Sequence, residues 1–219
     1  MNPLIAPSLL SADFSCLRED IRRVEEGGAD LLHLDVMDGC FVPNITFGPP
    51  LIRSIRPHTR LLLEAHLMIN DPAKFLEAFV AAGADRIIIH AEAVPQALAV
   101  LAKIRELGAQ AGVSIKPKTP LASVEPYLPV VQTLLIMTVE PGFGGQAFLP
   151  ETLPKIEAAR ALIDRHGYQL DIAVDGGINL ETAPRVIAAG ANVLIAGNAV
   201  FGQPDPAAVI RQLKNAKPA

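Results

Sequence analysis

Eight short apolar runs, bounded by turn residues and separated by stretches of helical period, constrain the architecture of this chain more than any other feature. They are Leu4–Leu10, Asp30–Met37, Arg60–Leu67, Asp85–His90, Gln110–Ile115, Thr133–Val139, Leu170–Asp175 and Asn192–Ala196. Their apolarity is near-continuous rather than alternating, the pattern of parallel strands buried on both faces. The stretches around them read as amphipathic helices over Cys16–Glu26, Pro50–Arg56, Pro72–Ala82, Pro95–Leu107, Leu121–Leu128, Glu151–Asp164, Leu180–Ala189 and Pro206–Ala216. Gly28-Ala29-Asp30, Gly83-Ala84-Asp85 and Gly190-Ala191-Asn192 recur where a helix should stop. Glycine there can adopt the left-handed conformation that ends a helix before the next strand. Eight β/α units in 219 residues predict one α/β domain, a (β/α)8 barrel over residues 1–219. The alternative is a doubly wound open sheet, but the turn after Leu10 lacks the GxGxxG of dinucleotide-binding versions.

Composition narrows the function classes. Half the residues are hydrophobic and the net charge is −4, which gives no support for nucleic-acid or anionic-membrane partners. The opening MNPLIAPSLL lacks a basic leader region, and no apolar run approaches the roughly 18 residues of a membrane span. Cys16 and Cys40 lack CxxC spacing, so no disulfide framework is expected. A cytoplasmic protein is the expectation. The prolines fall between apolar segments, where they mark turns and not a linker.

On a strand, His33, Asp35 and Met37 share one face, while Leu32, Leu34 and Val36 share the other and should meet the helices. The same parity groups Glu64, His66 and Met68. Asp175 ends its apolar run just before Gly176-Gly177. A carboxylate at the C-terminal end of a buried parallel strand is costly unless chemistry or a metal needs it there. Barrel active sites are built at those strand ends. Two imidazoles and two carboxylates suit Zn²⁺, Fe²⁺, Mn²⁺ or Co²⁺. Core histidines with satisfied hydrogen bonds and helix-capping aspartates would give the same spacing, so spacing alone leaves both readings open. Glycine clusters follow the last three strands: Gly142, Gly144 and Gly145 around Phe143, then Gly176-Gly177, then Gly197-Asn198. Such loops let backbone N–H groups approach a phosphate; turn chemistry is the better reading of any one pair, but three clusters after consecutive late strands favour the phosphate.

Longer motifs carry a resemblance. IAPSLLSADF (Ile5–Phe14), HLDVMDGCFVPNITFGP (His33–Pro49), EAHLM (Glu64–Met68), MTVEPGFGGQAF (Met137–Phe148) and VDGGI (Val174–Ile178) resemble the ribulose-phosphate 3-epimerase family, in order and without large gaps to Phe201. The resemblance implies a TIM barrel of the ribulose-phosphate-binding type. The implied reaction interconverts D-ribulose 5-phosphate and D-xylulose 5-phosphate. It implies one divalent metal ion per subunit (Zn, Fe, Mn or Co) on the positions matching His33, Asp35, His66 and Asp175. Those matching Asp35 and Asp175 would exchange the C3 proton on opposite faces of the sugar, through an enediolate that the metal stabilises. Ser8, His66, Gly142, Phe143, Gly144, Gly145, Asp175, Gly176, Gly177, Gly197 and Asn198 match substrate-binding positions. Met37, Met68 and Met137 match methionines that line the site. Family members assemble through barrel surfaces, so a homo-oligomer acting on a small phosphorylated ketose is expected.

Two departures stand out. Asn198 replaces the serine of a GSA-type turn, and Cys40 occupies a loop position where the family often has a non-thiol residue. An epimerase of six-carbon ketose phosphates would share both aspartates and the metal. The related decarboxylase and hexulose-phosphate synthase group carries D-x-K-x-x-D, whereas here Met37 stands in the lysine position after Asp35.

Overall fold

The computed structural model describes residues 2–218. Its strands are β1 (Leu4–Pro7), β2 (Leu31–Met37), β3 (Leu62–Met68), β4 (Arg86–His90), β5 (Gln110–Ile115), β6 (Thr133–Met137), β7 (Asp171–Asp175) and β8 (Val193–Ala196). They form one sheet in the order β1-β8-β7-β6-β5-β4-β3-β2, every neighbouring pair parallel. A parallel bridge from Ser8 to His33 and a 2.9 Å hydrogen bond from Asp30 N to Ile5 O join the two ends. The sheet closes into the expected barrel.

The parity read from the sequence holds. Leu32, Leu34 and Val36 pack outward into a core shared with Ile21, Val24 and Ile52. The smaller inner core contains Ala6, Ile88, Leu135, Ala173 and Val193. The outer layer is formed by α1 (Leu17–Glu26), α2 (Pro49–Ile55), α3 (Leu76–Ala82), α4 (Ala97–Glu106), α5 (Leu153–His166), α6 (Ala183–Ala188), α7 (Asn198–Phe201) and α8 (Pro206–Lys214).

The recurring Gly-Ala-Asp/Asn tripeptides have two roles. Gly28, Gly83 and Gly190 have φ of 95°, 102° and 111°, values open to glycine because it has no Cβ. The acidic or amide residue that follows then accepts a backbone N–H from the preceding strand. Asp30 Oδ2 takes Ile5 N at 2.8 Å, Asp85 Oδ2 takes Leu63 N at 2.8 Å, and Asn192 Oδ1 takes Ile172 N at 2.7 Å. Each tripeptide therefore ends a helix and fastens the N-terminal end of the strand before it.

Several element boundaries differ from expectation. The first strand stops at Pro7, and Ser8 caps a 3-10 turn over Leu9–Ser11 by accepting Leu10 N. Leu121–Leu128 is not an α-helix but two 3-10 segments, Leu121–Ser123 and Glu125–Val130. Pro120, Pro126 and Pro129 explain this, since each lacks an N–H and crowds the preceding turn. Pro72–Phe75 is likewise 3-10 before α3 begins. The helix expected from Leu180 starts only at Ala183, because Asn179 Oδ1 accepts the N–H groups of Glu181 and Thr182 at 2.8 and 3.0 Å in a turn. The short α7 was not expected. At the chain's end, α8 returns to the first unit, where Lys214 Nζ donates to Gly28 O at 2.7 Å and Asp30 Oδ1 at 2.8 Å.

Candidate active site

The C-terminal ends of the strands surround a cavity of about 630 Å³. It is lined by Ser8, Asp35, the glycine-rich loop Gly142–Gly145 with Phe143, Asp175-Gly176-Gly177, and Gly197-Asn198. Met37, Met68 and Met137 complete its inner wall. The sequence motifs therefore converge on one opening. His66 is the exception among the expected substrate-binding residues: it is fully buried beside Asp35 and does not line the cavity.

Local sequence explains this convergence. Strand periodicity turns His33 and Asp35 inward from β2 and His66 inward from β3, with Asp35 and His66 in register. Thr46 fastens the end of β2, donating from Oγ1 to Asp35 O at 2.6 Å and accepting Met37 N at 3.0 Å. Asp38, the second aspartate of the DVMD run, shapes the loop instead of joining the site. Its carboxylate accepts Cys40 N, Phe41 N and Asn70 N at 2.8, 2.9 and 2.8 Å. The late glycines are needed for close approach. A Cβ on Gly176 would fall 2.4 Å from Val139 Cγ2, and one on Gly177 2.4 Å from Phe148 N. A Cβ on Gly197 would meet Ser11 Oγ at 2.5 Å, so Ser11, another cavity-lining residue, lies directly beside the loop after β8.

Beneath the cavity, His33, Asp35, His66 and Asp175 each offer one ligand atom, all within 4.8 Å of one another. His33 Nε2 lies 3.2 Å from Asp35 Oδ1, 3.3 Å from His66 Nδ1 and 3.9 Å from Asp175 Oδ2. His66 Nδ1 lies 3.2 Å from Asp35 Oδ1. The opposite nitrogen of His33, Nδ1, is 2.8 Å from Glu64 Oε1, and Arg86 Nη1 donates to Glu64 Oε2 at 2.9 Å. An ionised carboxylate only accepts, so His33 Nδ1 donates to Glu64, and the neutral ring presents Nε2 as a bare lone pair. Acceptors converging without a donor suit a divalent cation, and this donor set fits one.

Without a cation, protons gather here. Burial pulls His33 down, but Asp35 and Glu64 together raise it well above the ordinary imidazole value. Burial lowers His66 to about 4, so that ring is neutral. The carboxylates diverge. Burial would raise Asp35, but His33 and His66 outweigh it and hold the group ionised, while Ser8 Oγ donates to Oδ2 at 2.6 Å. Asp175 is pushed up to about 7 by burial and then by the charge of Asp35.

Similarity to known proteins covers nearly the whole chain. A profile described as the ribulose-phosphate 3 epimerase family matches residues 4–201. The chain belongs to that family. A protein of Synechocystis sp. named ribulose-phosphate 3-epimerase is 51% identical over 218 residues, covering 99% of this chain and 95% of its own length. One of the same name from Bacillus subtilis is 49% identical over 214 residues, covering 97% and 99%. Among solved structures, a 3-hexulose-6-phosphate synthase superposes with a TM-score of 0.70 at 22% identity, covering 98% of this chain and 99% of that one. A 3-keto-L-gulonate-6-phosphate decarboxylase from Vibrio cholerae gives 0.71 at 18% identity, covering 98% of both. At that identity the likeness is one of fold.

Glu64, Arg86, His90 and Glu92 were not singled out from the sequence as site residues, yet they surround the two histidines. Glu64 shares a face with His66, and His90 ends an apolar strand as His66 nearly does. Those were the available signals.

Proposed function

We propose that this chain is a metal-dependent ribulose-phosphate 3-epimerase, interconverting D-ribulose 5-phosphate and D-xylulose 5-phosphate by two-base proton transfer at C3. Family membership supports the reaction, and the carboxylate pair Asp35 and Asp175 supports the mechanism. An epimerisation needs one group ready to take a proton and another ready to give one. In the metal-free protein Asp35 is held ionised and Asp175 is raised to about 7, so the two carboxyls differ in proton affinity, as a taker and a giver must. They come from β2 and β7 and reach one cavity from different strands.

His33, Asp35, His66 and Asp175 would hold the metal. A divalent ion supplies positive charge that stabilises the enediolate formed as the C3 proton leaves. The ionised Asp35 takes a proton on one face and Asp175 returns one on the other; the reverse reaction exchanges these roles. Ser8 Oγ, donating to Asp35 Oδ2, orients that carboxylate at the edge of the cavity. Met37, Met68 and Met137 present thioethers that exclude water from the reacting carbon. Gly142, Phe143, Gly144, Gly145, Gly176, Gly177, Gly197 and Asn198 would hold the phosphate end, largely through backbone N–H groups. With such backbone recognition, asparagine in place of serine at position 198 is a mild change, since its amide still donates.

Residues 1–219 act in this reading as one catalytic barrel domain, supported by the continuous sheet and the return of α8 to Asp30. No helix among the described residues is long and apolar enough to cross a membrane. The reading extends to a cytoplasmic homo-oligomer without nucleic-acid partners. The deciding experiment is proton NMR of D-ribulose 5-phosphate with the protein in D₂O, with Zn²⁺, Fe²⁺ or Mn²⁺ supplied. Xylulose 5-phosphate carrying deuterium at C3 is expected. Absence of both product and deuterium under every metal condition overturns the assignment, and allulose 6-phosphate is then the substrate to try.

A further inference from the structure

The metal-site histidines have different backing. Glu64, paired with Arg86, lies directly behind His33. Behind His66 is a longer chain. His66 Nε2 lies 2.9 Å from His90 Nε2, and His90 Nδ1 lies 3.2 Å from Glu92 Oε2. The other oxygen of Glu92 accepts Lys116 N at 2.8 Å and the Thr119 hydroxyl. That loop is itself tied down, because Lys155 Nζ from α5 donates to the carbonyls of Lys116, Pro117 and Thr119 at 3.0, 2.6 and 2.6 Å. His90 is also held between rings, stacked on His66 and tilted at 46° against Phe41, with centroids 4.9 Å from both.

The proton positions follow from the far end. Glu92 is ionised: its three donors, His90, Lys116 N and the Thr119 hydroxyl, outweigh burial and hold it below the usual carboxylate range. It can only accept, so His90 donates from Nδ1 and, as a neutral ring, presents a bare Nε2 to His66. His66 must then carry its proton on Nε2, which leaves Nδ1 unprotonated and facing Asp35 and His33. The other neutral tautomer has a local attraction of its own. With the proton on Nδ1, His66 would donate to Asp35 Oδ1 at 3.2 Å and close off the place a cation needs.

We propose that His90 and Glu92 are positioning residues that select the Nε2–H tautomer of His66, keeping its Nδ1 open for a divalent cation and making metal affinity depend on the loop Lys116–Thr119. This rests on the metal-centre reading above. Neither residue ranks among the four ligands, and both act through His66.

The test compares His90→Phe with His90→Gln. Phenylalanine keeps a stacking ring and removes the acceptor. Glutamine restores both ends of the chain, its oxygen accepting from His66 and its NH₂ donating to Glu92. In metal-free protein, ¹⁵N-edited NMR of the histidine side chains should report the Nε2–H tautomer of His66 in wild type and His90→Gln, and the Nδ1–H tautomer in His90→Phe. Zn²⁺ affinity, measured by chelator competition, should fall about 10–100-fold in His90→Phe and recover to within about threefold of wild type in His90→Gln. Thr119→Val, on the partly exposed loop, should weaken Zn²⁺ by a few-fold and serves if His90→Phe does not fold. An Nδ1–H tautomer in wild type overturns the proposal, as do equal losses in the two His90 variants or unchanged affinity in both. Failure of wild type to bind Zn²⁺, Mn²⁺ or Co²⁺ instead overturns the metal-centre reading itself.

Discussion

At the N-terminal rim of the barrel, Asp30, Asp85 and Asn192 each accept a backbone N–H from a neighbouring strand. All three gain a further partner: Lys214 for Asp30, Arg56 at 2.7 Å for Asp85, and Asp171, whose Oδ1 accepts from Asn192 Nδ2 at 2.7 Å. At the C-terminal mouth, His33, Asp35, His66 and Asp175 point acceptor atoms at one another. One barrel thus carries polar groups at both ends with opposite outcomes, and β2, which begins next to Asp30 and carries His33 and Asp35, takes part in both. At the rim each acceptor meets a donor and the arrangement stabilises the fold. At the mouth the acceptors stay unmatched until a proton or a cation arrives, and burial makes that mismatch expensive. The buried Glu64–Arg86 pair lies between, with Glu64 holding His33 and Arg86 reaching Gln110 Oε1 at 2.9 Å.

Substitutions should separate the two ends. Asp35→Asn and Asp175→Asn remove a proton carrier without changing shape, and each should lower kcat about 10³-fold or more. Thermal melting should show Asp175→Asn at least as stable as metal-free wild type, since burial and the charge of Asp35 already disfavour its ionised form. Asp35→Asn should lose stability, because His33 and Ser8 lose their ionised partner. A large stability loss in Asp175→Asn would mean that this mouth aspartate serves the fold, as the rim residues do. Glu64→Gln should affect both ends at once. His33 loses its ionised partner, weakening Zn²⁺ about 10–100-fold by chelator competition, and Arg86 is left partly uncompensated, costing about 3–5 kcal/mol in urea unfolding. An effect on only one of these readouts would uncouple the pair from one end.

Metal uptake should release protons. At pH 6 the metal-free site retains them, because Asp175 is raised to about 7 and His33 is raised above its ordinary value. A cation needs bare lone pairs, so calorimetry in buffers of different ionisation enthalpy should find about one to two protons released per Zn²⁺ bound. Affinity should then rise as pH goes from 5 to 7, about tenfold per unit for each proton released. A pH-independent affinity would count against the charge states assigned to the mouth. The smallest effect is expected at the rim. Asn192→Ala leaves Ile172 N–H without its acceptor and should cost about 1–3 kcal/mol of stability while kcat stays within about twofold.

Much of this contrast was legible in the sequence. The eight strands could be read because parallel strands buried on both faces leave near-continuous apolar runs, and the candidate ligands because polar residues interrupt those runs near their ends, at a spacing of two in β2. The prolines at 120, 126 and 129 were equally visible, but the apolar spacing of Leu121, Val124 and Leu128 suggested an α-helix that the missing N–H groups do not allow. His90 and Glu92 were harder to find. Their importance depends on β3 and β4 being neighbours and on a loop from β5 reaching Glu92, which are tertiary facts with no local signature. The N–H acceptors at positions 30, 85 and 192 were seen only as helix ends, because their partners lie about 20 to 25 residues earlier.

The most direct test of the two-base account follows hydrogen exchange in D₂O with Asp35→Asn and Asp175→Asn, each supplied separately with ribulose 5-phosphate and xylulose 5-phosphate. Each variant keeps one base. It should therefore wash deuterium into C3 of one epimer without inverting it and leave the other epimer untouched, and the two variants should select opposite epimers. If either variant still interconverts the sugars at a rate near wild type, or if both exchange the same epimer, the assignment of Asp35 and Asp175 to opposite faces is wrong.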